Sequence, residues 1–126
     1  MSPEIVSQVV KEYFAAIRAM DIPAIVRTFS EDAVTYDPVG TPANNGHKGI
    51  EEFFQTITAA FKECGLTEDE MFIAGNCAAV KWTGRGVSKQ GKKVKFEGID
   101  TFEINESGRI QLLRAYWNPA EMVAQL

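Results

Sequence analysis

The chain has 126 residues, 45% of them hydrophobic and 24% charged, with a net charge of −4. That length bounds it to one domain, expected to span residues 1–126, with room for a real core. The excess of acid argues against nucleic-acid or anionic-membrane partners, both of which need basic patches.

Lys89, Lys92, Lys93 and Lys95 do cluster, but they flank Gln90-Gly91 and read as a solvated hairpin tip. No apolar stretch approaches the length of a membrane span. The N-terminus lacks the basic and apolar regions of a secretory signal, so a cytoplasmic location is expected. Cys64 and Cys77 have no metal-ligand or redox spacing and are expected as buried free thiols. His47 is the only histidine and sits in a polar loop, where it has no second histidine for a metal site.

The first predicted element is a helix capped by Ser2, with Pro3 in its first turn and Glu4 suited to the helix dipole. Val6, Val9, Val10, Tyr13, Phe14 and Ile17 form its apolar stripe, and Tyr13 carries the one polar tip. Asp21 caps a second short helix with Ile22, Ile25, Val26 and Phe29 inside, closed by Ser30-Glu31-Asp32. A strand over 33–36 runs into Asp37-Pro38, where proline disfavours helix in the residue before it. A polar loop leads to a third helix with Ile50, Phe53, Phe54, Ile57 and Phe61 on one face, stopped at Gly65.

The second half reads as sheet. Strands are predicted over 67–74, 77–87, 93–105 and 109–118, with turns at Gly75-Asn76, Gln90-Gly91 and Ser107-Gly108. Short connections favour antiparallel neighbours. Residues 119–126 read as a tail. Helices first and a long antiparallel sheet after predict an α+β domain with helices on one sheet face.

Asp100 stands out against this pattern. Strand side chains alternate, which places Val94, Phe96, Gly98, Asp100, Phe102 and Ile104 on one face. That face is apolar apart from the aspartate. A carboxylate there must find partners or stay protonated. A neutral carboxyl in an apolar cavity is a strong hydrogen-bond donor. The competing reading is a structural acid paired with Lys81 or Arg114.

Tyr13, Asp37 and Asp100 are thus three polar groups directed at one interior. At these positions the chain resembles the Δ5-3-ketosteroid isomerases of the NTF2-like, or SnoaL-like, superfamily. The resemblance rests on Val9-Val10-Lys11-Glu12-Tyr13, Asp21-Ile22, Ile25-Val26 and Asp32 to Gly40. It continues through Ile99-Asp100 with Phe102, Gly108 to Gln111, and Ala115-Tyr116-Trp117. It implies a cone of three N-terminal helices on a strongly curved, mostly antiparallel sheet, enclosing an apolar pocket.

It further implies a proton-shuttle isomerase without metal or organic cofactor. Asp37 falls on the general-base position, while Tyr13 and Asp100 fall on the oxyanion-hole positions. A neutral aspartic acid in the hole is a known property of these isomerases and comes here from the resemblance. The physical logic is that removing a proton beside a carbonyl puts negative charge on oxygen, which preorganised donors in a dry site stabilise. Asp37, beside a loop, is expected to be wetter than Asp100, which separates their roles. Phe29, Phe54, Phe102 and Trp117 are the expected substrate-binding wall, suited to a flat hydrophobic, steroid-like ligand.

One departure concerns Phe54, where many of these isomerases carry a tyrosine that supports the hydroxyl of the Tyr13 position. Its absence removes a hydrogen bond worth on the order of 1 kcal/mol. Relatives commonly dimerise through the outer sheet face, and Ile99 and Leu113 are the apolar residues expected there. Two rival functions are a non-catalytic module binding a hydrophobic small molecule, and a polyketide cyclase or dehydratase. The latter enzymes often use a histidine–aspartate pair, which would require His47.

Overall fold

The computed structural model describes residues 1–126. Helix α1 spans Pro3–Arg18, and the Ser2 hydroxyl accepts a hydrogen bond from the Ile5 N–H. Its stripe from Val6 to Ile17 is buried, as the 3.6-residue spacing requires. Helix α2 spans Ile22–Arg27, and the Asp21 carboxylate accepts from the Ala24 N–H at 3.1 Å.

The second helix ends earlier than its sequence suggests. Thr28 caps it, and Ser30, Glu31 and Asp32 lie in strand β1, Phe29–Tyr36. Ladder pairing outcompetes a further helical turn here: Phe29 pairs with Ile110, whose N–H donates to the Thr28 carbonyl at 2.8 Å. A two-residue strand β2, Asn44–Asn45, lies antiparallel to β1 and leads into helix α3, Gly46–Ala59.

Phe61 is not on the third helix, and Gly65 does not stop it. Both belong to strand β3, Phe61–Ala74, which begins six residues before the predicted 67. Phe61 pairs with Ser88 and Gly65 with Arg85, so long-range pairing overrides the local helical pattern. Strands β4, Cys77–Ser88, β5, Lys93–Ile104, and β6, Ile110–Tyr116, follow as a meander. The supposed tail contains a short helix α4, Pro119–Val123, with the Asn118 side chain accepting from the Ala120 N–H.

All six strands form one sheet in the order β2-β1-β6-β5-β4-β3. Every pairing is antiparallel except β1 with β6. Register shifts in β3 and between Glu103 and Ile104 add local twist, and the sheet curls without closing. Helices α1 and α3 pack over the curled face, against β3 and β1 respectively. The core lies between, built from Val6, Val10, Phe14, Ile50, Val80 and Ile104 among others. No helix is long and apolar enough to cross a membrane.

Two further expectations change. Leu113 is fully buried opposite Phe102, so it faces the core and not the outer face. On β5 and β6 the exposed large apolar residues are Ile99 and Tyr116, paired with each other and 46% and 48% exposed. Both cysteines are free, but Cys77 is exposed and only Cys64 is partly buried.

The concave face is fitted around aromatic rings. A Cβ added at Gly84 would lie 2.5 Å from the Phe96 ring, closer than packed atoms tolerate. Gly84→Ala is expected to cost about 1–3 kcal/mol of stability. The midpoint of denaturant unfolding reads this directly, and an unchanged midpoint would show that the ring is free to move.

Candidate active site

Strand β5 carries Asp100 into the interior because residues 94, 96, 98, 100, 102 and 104 alternate inward. Asp100 is 2% exposed, with Phe102 and Ile104 beyond it at 2% and 0%. No cation meets it. Lys81 instead lies 3.4 Å from Glu97, and Arg114 is exposed on β6. The only hydrogen bond to the carboxyl comes from Trp82, whose Nε1–H donates to Oδ1 at 2.9 Å.

Asp37 follows the end of β1 and precedes a cis peptide bond to Pro38. The loop beyond is tied down at two points. The Val39 N–H donates to the Ala115 carbonyl at 2.8 Å, and the Thr41 hydroxyl donates to the Pro38 carbonyl at 2.7 Å. Asp37 is only partly buried, in contrast to Asp100. Its Oδ1 accepts from the Trp117 Nε1–H at 2.7 Å.

Tyr13 comes from the middle of α1 and is 1% exposed. Its ring is held edge-on by Phe14, Phe29, Phe54 and Phe102, with centroids 5.3 to 6.4 Å away. Such packing fixes where the hydroxyl points. No fully buried side-chain polar atom in the chain lacks a partner. The Tyr13 hydroxyl and Asp100 Oδ2 make no hydrogen bond within the protein, so both face open space in the cavity.

That cavity spans about 680 Å³ including its mouth. Tyr13, Asp37 and Asp100 all line it, and apart from these and Thr58 the lining side chains are apolar. Phe54 and Trp117 stand on its wall, as do Phe53, Phe96 and Trp82. Phe29 and Phe102 are not on the wall; they sit behind it, buttressing the Tyr13 ring. Phe54, with no hydroxyl, packs edge-on to Tyr13 with ring centroids 6.4 Å apart. His47 is outside the cavity, where its Nε2–H donates to the Phe29 carbonyl at 2.8 Å.

Burial dominates the electrostatics. It raises the Asp37 carboxyl to about 6, against an opposing pull from the Trp117 hydrogen bond. Asp100 is pushed well above the usual carboxylate range, first by burial and then by the negative charge of Asp37, with the Trp82 bond pulling the other way. Tyr13 is raised by burial and by both acids. The shifts make Asp100 the harder of the two acids to ionise, on an apolar cavity that the Tyr13 hydroxyl also lines. Two acids of unequal acidity and a hydroxyl on one apolar cavity are a set of groups suited to proton transfer beside a carbonyl.

Sequence reasoning did not assign Trp82 to the site and gave Trp117 only a wall role. The place of Trp82 shows only once the strands are paired: it lies opposite Gly98 on the strand next to Asp100.

Comparison with known proteins shows the family. Residues 10–113 match the SnoaL-like domain family. The chain is 30% identical over 124 residues to a steroid Δ-isomerase of Nocardioides simplex, covering 98% of this chain and 97% of that one. Among solved structures it is similar to the epoxide hydrolase/cyclase-like enzyme SalBIII, which acts in pyran ring formation in the polyether salinomycin. There the TM-score is 0.82 at 26% identity, over 92% of each chain. A Mycobacterium tuberculosis protein in complex with estradiol-17β-hemisuccinate shares the fold, with a TM-score of 0.83 at 21% identity over 93% of this chain and 96% of that one. An M. tuberculosis LEH-like epoxide hydrolase does so too, with a TM-score of 0.81 at 19% identity over 98% and 90%. The chain belongs to the SnoaL-like family, with its NTF2-like cone fold.

Proposed function

We propose that the chain is a cofactor-free isomerase that moves the double bond of a 3-oxo-Δ5 steroid, or of a similar hydrophobic enolisable ketone, into conjugation. The observation that carries this reading is geometric: Asp37, partly buried, and Asp100, 2% exposed, line one apolar cavity with the Tyr13 hydroxyl. Asp37 Oδ2 takes the proton alpha to the carbonyl, and the electron pair passes through the conjugated system onto oxygen. Tyr13 and Asp100 each donate a hydrogen bond to that dienolate oxygen. The protonated Asp37 then returns the proton two carbons along, so atoms and charge balance without a co-reactant. The apolar wall holds the flat ligand and excludes water that would weaken these bonds. The 30% identity to a steroid Δ-isomerase supports the substrate class.

A binding module without turnover would use the same cavity. A histidine-dependent cyclase or dehydratase fits less well, because His47 is engaged with the Phe29 carbonyl away from the acids. Pairing of two copies through the outer sheet face is part of the proposal. It is supported by exposed Ile99 and Tyr116, side by side there.

Following formation of the conjugated enone by ultraviolet absorbance tests the isomerase. Turnover is expected from the native chain, with Asp37→Asn slower by roughly 10²–10⁴-fold. Absence of native turnover, or an Asp37→Asn variant of full activity, would sink the reading. Asp100→Leu is expected to lower kcat by roughly 10²–10³-fold, as for loss of one oxyanion donor. An Asp100→Leu enzyme with native kcat would remove Asp100 from the hole.

The pH profile has a definite sign. Asp37 must be ionised to act as base, so kcat/KM should be lost as pH falls through about 6. A profile that stays flat down to the ordinary carboxylate range would exclude Asp37 as the base.

A further inference from the structure

Asp100 has two oxygens, and the protein contacts only one of them. Trp82 Nε1–H donates to Oδ1 at 2.9 Å, while Oδ2 is free toward the cavity. In a neutral carboxyl the carbonyl oxygen is the better acceptor, so an N–H held at one oxygen favours the proton on the other. We infer that Trp82 is a positioning residue: it holds Oδ1 as the carbonyl and thereby presents the O–H on Oδ2 to the bound oxygen.

The backbone shows how this contact is built. Trp82 pairs with Gly98, and Val80 pairs with Asp100. Trp82 and Asp100 are therefore diagonal neighbours on one face, a separation that long aromatic side chains can bridge. The indole reaches across because position 98 has no side chain. A Cβ there would lie 2.6 Å from Trp82 Cζ2, 2.6 Å from the Tyr116 carbonyl oxygen and 2.8 Å from Trp117 Cβ. The ring is also packed edge-on by Phe96 and Trp117, at centroid distances of 5.8 and 6.3 Å. Gly98 is thus the seat of the indole, and the two aromatic neighbours keep it there.

This assignment deepens the proposed isomerase but does not need turnover to be tested. A phenol such as 2-naphthol offers an oxygen to the donors, while naphthalene offers the same rings without it. The native protein is expected to prefer 2-naphthol. Trp82→Phe keeps an aromatic ring and removes the N–H. It is expected to weaken 2-naphthol binding roughly tenfold beyond any change in naphthalene binding, the scale of one well-placed hydrogen bond. In an Asp100→Leu background the same substitution should weaken 2-naphthol no more than naphthalene, because no carboxyl remains to be held.

Equal loss of both ligands in Trp82→Phe would mean that the indole only packs, and would overturn the assignment. So would an undiminished effect of Trp82→Phe in the Asp100→Leu background, or a native protein that does not prefer 2-naphthol. If enone formation is also measurable, kcat should fall with KM little changed in Trp82→Phe. A native chain that binds 2-naphthol as expected yet turns over no ketone would refute the isomerase and leave the role of Trp82 standing.

Discussion

Two carboxyl groups share one apolar cavity, and burial there works against charge on both. Desolvation penalises each ion, and the charge on one penalises ionisation of the other. The surroundings are unequal, so burial weighs more on ionisation of Asp100 than on that of Asp37. Asp37 keeps some exposure beside its loop, whereas Asp100 is sealed into the middle of β5. This arrangement also couples folding to protons. Both acids have folded values above their unfolded ones, so their contribution to stability is complete below the ordinary carboxylate range. It is lost as the pH rises through their folded values.

The fold meets that constraint with aromatic side chains instead of cations. Each acid receives one indole N–H, Trp117 to Asp37 and Trp82 to Asp100. A neutral donor satisfies an oxygen without locking the carboxyl into its charged form, as a lysine or arginine would. The cations of the chain lie elsewhere: its two ion pairs join Arg18 to Glu68 and Lys81 to Glu97. Glycines at 84 and 98 open the space that the aromatic rings occupy against the sheet. The curled sheet supplies the concavity, and α1 and α3 cover it while delivering Tyr13 and Phe54 to the wall.

Much of this was legible in the chain itself. Alternation along β5 marked Asp100 as an inward acid, proline marked Asp37 as a strand-end residue, and helical spacing placed Tyr13 on the buried stripe. What escaped was decided by pairing between distant segments. Phe61 and Gly65 look like the end of a helix, but β4 draws them into β3. Ser30 to Asp32 look like a helix exit until β6 arrives beside them. Leu113 could be given its face only once the β5 register was known, since a shift of one residue inverts a strand. Trp82 escaped for the same reason, because its function depends on the residue opposite it.

The indole bonds have one more consequence. The chain has only two tryptophans, and both end on a carboxyl of the cavity. Its intrinsic near-ultraviolet emission therefore originates almost wholly at the site. A change in the charge of either acid, or the arrival of a ligand between them, alters the field around a chromophore that is already in place. The protein carries its own optical probe of the cavity, and no label need be added to watch it fill or titrate.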